Sequence, residues 1–297
     1  MRRFFTTPWK LRRLGLLGMN ERNIRLISQK NDRQYYQFAD NKLKTKERAA
    51  EAGIPTPELY RRIRYIGELQ HLEEILEPYT EFVIKPCRGA GGNGVVVISE
   101  KHGAELKTIS GDVMTFDELR KHTAKILHGL FSLGGKPDEA LVEYRVNFSR
   151  VLEEVSYRGV PDFRVIVYEG NPVMAMGRFP TSHSGGRANL HQGAVGVGID
   201  VLTGVTFGGV LNNRRVDIHP DTGASLSGIT IPHWQEICGI AGRCAQLTKL
   251  GYLGADLVLD EELGPLLLEI NVRPGLAIQI ANGRGLIPRL ADFGYKS

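Results

Sequence analysis

Three cysteines, Cys87, Cys238 and Cys244, are all the chain has, and no two of them stand as a CxxC pair. That excludes a disulfide scaffold or a cysteine zinc site as the organising feature, and each thiol is read as a small buried hydrophobe in a reducing compartment. No apolar run approaches the ~20 residues that a spanning helix needs, so no membrane span is expected. The opening MRRFF faintly suggests an export signal. The charged TTPWKLRRLG that follows interrupts the apolar core such a signal requires, and a cytoplasmic location is expected instead. Internal repeats, low-complexity stretches and ribonucleoprotein or zinc-finger signatures are also lacking, and no nucleic-acid partner is expected.

What is present is an ordinary balance of 42% hydrophobic and 24% charged residues over 297 positions. That is enough for a substantial core in one two-lobed domain or two domains. The net charge of +5 is uneven: residues 1–48 carry thirteen Lys or Arg against four Asp or Glu. A basic N-terminal arm of this kind suits an acidic partner, a membrane surface or RNA, or stands as a solvated, partly helical segment with no partner. Homo-oligomerisation is left open.

Helix formers over 41–52 stop at Gly53, with Pro55 and Pro57 beyond, as a helix end should read. Further helices are expected over 66–77, 116–131 and 233–250. FVIK (82–85) and VVVI (95–98) read as strands around a glycine loop, and 163–179 reads as a hairpin turning at Glu169-Gly170. Residues 185–213, rich in glycine, suggest loops close to a ligand. The mixture is α+β with antiparallel pairing.

Gly89-Ala90-Gly91-Gly92-Asn93-Gly94 is a literal GxGxxG. A dinucleotide fingerprint would open a helix, and here the loop runs into four β-formers. A Walker loop needs GK[ST], which is absent. In a protein kinase the lysine strand follows the glycine loop, whereas Lys85 precedes it, and no HRD sequence exists. There remains a strand–loop–strand flap with its lysine on the first strand, whose backbone N–H groups can crowd phosphates. A plain glycine-rich surface hairpin stays open on this loop alone.

The sequence ADLVLDEELGPLLLEINVRPG (255–275) reads as two apolar strands around a polar turn. If Leu259 pairs with Leu266, Asp256 falls opposite Glu269, and Glu269 shares a face with Asn271. Two adjacent carboxylates among apolar neighbours repel unless compensated, and an all-oxygen set suits Mg²⁺ or Mn²⁺. Exposed carboxylates on a wet sheet face are the plainer reading.

These segments together resemble the ATP-grasp superfamily, most nearly the RimK-type α-L-glutamate ligases, from about Asp40 to about Leu286. The resemblance implies an ATP-grasp fold of two α+β lobes with ATP held between antiparallel sheets. Residues 1–39 would be a basic arm or a reduced leading segment, 40–145 the small lobe with its flap, and 146–297 the large lobe. Lys42 and Lys85 are implied as ATP lysines, with Gly89, Gly91, Gly92 and Gly94 over the phosphates. Glu143 and the backbone at Tyr144 would read adenine, and Asp162 in Asp162-Phe163-Arg164 would face the ribose. Arg187-Ala188-Asn189-Leu190-His191 is similar to the family's phosphate-approaching segment, which brings in Asn189. Asp256, Glu269 and Asn271 match its cluster for two Mg²⁺ ions. Arg187, Arg164 and Asn271 are implied at the reacting centre.

The activity so implied is ATP-dependent joining of a carboxylate to an amine through an acyl phosphate, with glutamate ligases as the nearest pattern. The insertion over 201–232 resembles ATP-grasp proteins associated with sugar transfer or polysaccharide modification. An enzyme acting on a sugar or cell-surface polymer, and a non-catalytic ATP-binding regulator, are the alternatives.

Overall fold

A computed structural model describes residues 6–89 and 91–296 of the chain. Residues 1–5, and with them the reading of MRRFF, lie outside the described residues, as does Ala90.

The expected alternation of short helices and antiparallel strands is present as two separate sheets. The first contains β1 (Leu59–Ile63), β2 (Phe82–Pro86), β3 (Val96–His102), β4 (Glu105–Thr108), β5 (Val113–Thr115) and β6 (Ala140–Glu143), in the order β1-β6-β2-β3-β4-β5. Its apolar face is covered by the helix Phe116–Leu127, whose Phe116, Leu119, Ile126 and Leu127 are buried with Phe82, Ile84 and Leu106. Thr115 caps this helix in a reciprocal pairing with Glu118. It stops four residues before the expected end, because Gly129 takes φ +80° against the Lys136 carbonyl, and Leu130 is exposed.

The second sheet contains β7 (Asp162–Tyr168), β8 (Asn171–Phe179), β9 (Val195–Ile199), β10 (Thr206–Leu211), β11 (Arg214–Val216), β12 (Tyr252–Asp260) and β13 (Gly264–Asn271), in the order β11-β10-β9-β8-β7-β12-β13. Part of the glycine-rich stretch 185–213, read as loops, is therefore strand. β7 and β8 are joined by Glu169 and Gly170, both at positive φ, the two-residue turn that the sequence signals.

One face of this sheet, with Phe163, Val165, Val167, Leu253, Ala255 and Leu257, packs under the helix Trp234–Thr248 as the largest core. The opposite face is divided along its strands. At one end Ile166, Tyr168, Met174, Met176 and Tyr252 are apolar and covered. At the other, the residues in phase with them are Asp162, Arg164, Arg178 and Asp256.

The covering at the apolar end comes from the two chain ends. Leu17, Leu26 and Ile27 pack there with Leu286, Ile287 and Leu290. Asn31 donates to the Tyr252 carbonyl at 2.6 Å and accepts from its amide at 2.9 Å, an amide side chain standing in for a strand partner. The stretch from Leu17 to Asn31 is thus seated on the sheet through Leu17, Leu26, Ile27 and Asn31, whereas the basic helix Pro8–Arg13 buries none of its own residues.

Candidate active site

The two sheets enclose a cleft of about 440 Å³. Alternation along β2 sends Phe82 and Ile84 into the small-lobe core and turns Val83 and Lys85 to the cleft. β6 pairs with β2 so that Val83 lies opposite Glu143, which brings Glu143 onto the same face. Lys85 Nζ sits 2.6 Å from Glu143 Oε2 and Lys46 Nζ 3.4 Å from Oε1. Oε1 has no hydrogen-bond partner among the described residues, even with that ammonium near it. Burial pulls the Lys46 ammonium down to about 8, against the pull of Glu143.

Lys42 opens the helix Lys42–Glu51, which Asn41 caps by accepting from the Lys44 amide. Its Nζ donates to the Gly89 carbonyl at 2.5 Å and lies 3.3 Å from Glu269 Oε2, joining the base of the flap to the large lobe. Gly91, Gly92 and Gly94 all take positive φ, which L side chains adopt only with strain. Asn189 donates to the Gly91 carbonyl at 3.1 Å, so the flap rests on the segment that carries Arg187.

On the large sheet four charged side chains form an alternating chain. Arg164 grips Asp256 with Nε to Oδ1 at 2.7 Å and Nη2 to Oδ2 at 2.5 Å. Arg178 donates to Asp162 through Nε and Nη2, both at 2.5 Å, and to Asp256 Oδ2 at 2.7 Å. The register produces both cross-strand pairs, since Asp162 faces Arg178 and Asp256 faces Arg164. Asn271 adds a 3.1 Å bond to Asp256 Oδ2. Burial alone would raise Asp256, but the two guanidiniums hold it well below the ordinary carboxylate range. Asp162 moves the other way: burial pushes it up, and the neighbouring Asp256 charge opposes the help it gets from Arg178.

Asp256 does lie opposite Glu269, but by a different route from the one expected. Leu259 pairs with Pro265 rather than Leu266, and a bulge between Asp256 and Leu257 restores the alignment. The bulge lets Leu268 and Glu269 both face the cleft, which strict alternation forbids. A second correction concerns charge. Asp256 is already compensated by two arginines, so repulsion between it and Glu269 does not by itself demand a cation.

Among the expected site residues, Lys42, Lys85, Gly89, Gly91, Gly92, Glu143, Tyr144, Asp162, Arg187, Asn189, Asp256 and Glu269 line the one cleft. Gly94 lies in an adjoining hollow against Phe131, while Arg164 and Asn271 hold Asp256 from beside the cleft. The amide of Tyr144 is taken by the Glu58 carbonyl at 2.9 Å. The next two amides, of Arg145 and Val146, have no hydrogen-bond partner among the described residues, and both residues line the cleft. Asp162 is bound by Arg178 instead of standing free. The sequence reading missed Arg178 and Lys46. Arg178 was accessible by extending the Glu169-Gly170 hairpin to its far end; for Lys46 the only hint was its place one turn after Lys42.

The residues fit a nucleotide and a hard cation. Val83, Val96, Val146, Val258 and Leu268 give the cleft an apolar slot, and Lys42, Lys85 and Arg187 bring positive charge to its lining. Glu269 keeps a carboxylate oxygen toward the cleft with Lys42 as its ion-pair partner, and the donor set is all oxygen, as Mg²⁺ prefers. Among the described residues no group of three His, Cys, Asp or Glu is arranged to hold a metal, so a cation would rely on Asn271 and on phosphate or water oxygens as well.

Two antiparallel sheets closing on such a cleft, with Lys42 and Lys85 lining it beside a glycine flap, define an ATP-grasp fold. Residues 21–294 match the model of the sugar-transfer associated ATP-grasp family, and the chain belongs to that family. No curated protein matches the sequence. Among solved structures, D-alanyl-alanine synthetase A from Vibrio cholerae O1 biovar eltor is 15% identical with a TM-score of 0.50, over 87% of this chain and 64% of that one. A RimK domain ATP-grasp protein from Sphaerobacter thermophilus is 13% identical with a TM-score of 0.49, over 89% and 70%. The ATP-grasp ligase PsnB, complexed with minimal precursor, is 12% identical with a TM-score of 0.45, over 88% and 61%. At these identities the likeness concerns the fold. The chain spans between 59% and 64% of the length of the first five structures it matches. No helix among the described residues is long and apolar enough to cross a membrane.

Proposed function

We propose that the chain is an ADP-forming, ATP-dependent carboxylate–amine ligase. The observation that carries the reading is one cleft whose lining combines an apolar slot with Lys42, Lys85, Arg187 and Glu269. The slot suits a purine, and the unpaired Arg145 and Val146 amides offer its edge hydrogen-bond donors. Lys42, Lys85 and the amides of 91–94 hold the phosphates, and Glu143 keeps Lys85 aimed at them. Glu269 and Asn271, with Asp256 behind them, would hold Mg²⁺, which would supply positive charge against the transferred phosphoryl group. Phosphoryl transfer needs positioning and charge neutralisation more than covalent chemistry from the protein. Arg187 stabilises the acyl phosphate and the oxyanion formed when the amine attacks. Arg164 and Arg178 act through Asp256, keeping its carboxylate ionised and fixed.

The family match favours an acceptor on a sugar or cell-surface polymer over ribosomal protein, so an amino sugar belongs in the first screen beside glutamate and other amino acids. The test is incubation with MgATP and these carboxylates and amines, with products read by mass spectrometry. ADP and phosphate released only when both substrates are present support the ligase. AMP and pyrophosphate would overturn the acyl-phosphate route, and tight ATP binding without turnover across the screen would favour a regulatory module.

A further inference from the structure

The segment that follows the helix Pro8–Arg13 lies against the C-terminal helices, and none of its residues lines the cleft. Several hydrogen bonds seat it. The Ile287 amide donates to the Gly15 carbonyl at 3.0 Å, and Gln279 exchanges hydrogen bonds with both backbone groups of Leu17. Arg12 pairs with Glu21, which accepts from the Tyr295 hydroxyl, and Arg25 donates to the Lys296 carbonyl. Residues 6–25 and 280–296 therefore form one anchored edge.

This edge combines two features that rarely share a solvated surface. Trp9, Leu14, Met19 and Ile24 are 77%, 64%, 64% and 61% exposed, although the same segment buries Leu17 and Leu26 completely enough to anchor itself. The edge also carries eight Lys or Arg against two Asp or Glu, a surplus of six that exceeds the net charge of the whole chain. A concentration of large exposed apolar side chains marks an interaction surface. Its charge selects an anionic partner.

We propose that this edge docks the protein on an anionic lipid bilayer. Trp9 and the aliphatic side chains enter the headgroup boundary, and Lys10, Arg13 and Arg25 meet lipid phosphates. An interface takes up both components at once, whereas a nucleic acid rewards the charges and leaves the aliphatics in water. A second copy is disfavoured because the like surplus on each edge repels. Attachment is peripheral, and it is independent of the catalytic reading.

The chain holds two tryptophans, and only Trp9 is exposed; Trp234 is 4% exposed in the core. A blue shift in emission and loss of acrylamide quenching therefore report on Trp9. The protein is mixed with vesicles of phosphatidylcholine alone or of phosphatidylcholine with phosphatidylglycerol. We expect sedimentation and protection of Trp9 only with phosphatidylglycerol, weakening as salt rises. The double variants Trp9→Ala/Leu14→Ala and Lys10→Gln/Arg13→Gln should each bind about thirtyfold more weakly. Their melting should be unchanged, since that helix buries no residue. Equal binding to both vesicles, or to neither, overturns the proposal. So does protection of Trp9 without lipid that grows with protein concentration, or salt-sensitive RNA binding that survives Trp9→Ala/Leu14→Ala.

Discussion

Replacing Arg178 by Met removes the only hydrogen-bond partner of the Asp162 side chain among the described residues, a side chain 9% exposed. Asp256 keeps Arg164 and Asn271, so the damage falls on Asp162. An uncompensated buried charge costs about 3–5 kcal/mol. For a chain of this size that is a fall in melting temperature of roughly 6–20 °C, at about 2–4 °C per kcal/mol. The deficit should depend on pH. Burial already raises the Asp162 carboxyl above its ordinary value of 3.8, and losing Arg178 raises it further. A carboxyl raised in the folded state favours folding where it is protonated, and that contribution fades as pH climbs through the folded value. The variant should therefore lie closest to wild type in mild acid and fall behind toward neutral pH. In Asp162→Asn/Arg178→Met no charge is left stranded, and about half or more of the lost stability should return, since buried pairs replaced together cost little. Thermal and urea unfolding of the three proteins at several pH values measures this. Arg178→Met within about 0.5 kcal/mol of wild type, an ordinary surface effect, would refute the argument. A double variant as unstable as the single one would do so equally.

Glu269→Gln should lower turnover more than tenfold and weaken Mg²⁺ dependence while leaving melting within a few degrees, because Glu269 is partly exposed; ADP release against Mg²⁺ concentration checks this. Gly94→Ala forces φ +77° on an L residue and places its Cβ 2.6 Å from the Phe131 ring. It should raise the KM for ATP severalfold by displacing the flap, at about 1–3 kcal/mol of strain. Glu143→Gln leaves Lys85 and Lys46 without their shared carboxylate, and ATP affinity measured by titration calorimetry should change more than stability does. Burial pushes the Cys238 and Cys244 thiols up to about 12 from an ordinary 9.0. Iodoacetamide at pH 8 should label them only after unfolding. Stability should fall as pH rises from about 9, where the unfolded thiols ionise, toward the folded value.

Local rules carried much of the architecture. Two strands around 89–94, the Glu169-Gly170 turn, the helix beginning after Asn41 and the apolar hairpin 255–271 follow from periodicity, capping and turn chemistry, which act over a few residues. The spacing of Asp256, Glu269 and Asn271 along two paired strands was legible for the same reason, since one hairpin contains them. Only the tertiary structure decided what surrounds those groups. The neutralisation of Asp256 depends on Arg164 and Arg178, delivered by β7 and β8 from 92 and 78 residues earlier. No local pattern encodes which strand will lie beside β12. The bulge that turns both Leu268 and Glu269 to the cleft shifts a register that ideal pairing would place one residue away. The seating of Leu17 to Asn31 on the large sheet was hidden as well, because their composition reports charge while their burial depends on an apolar patch that only the folded sheet exposes.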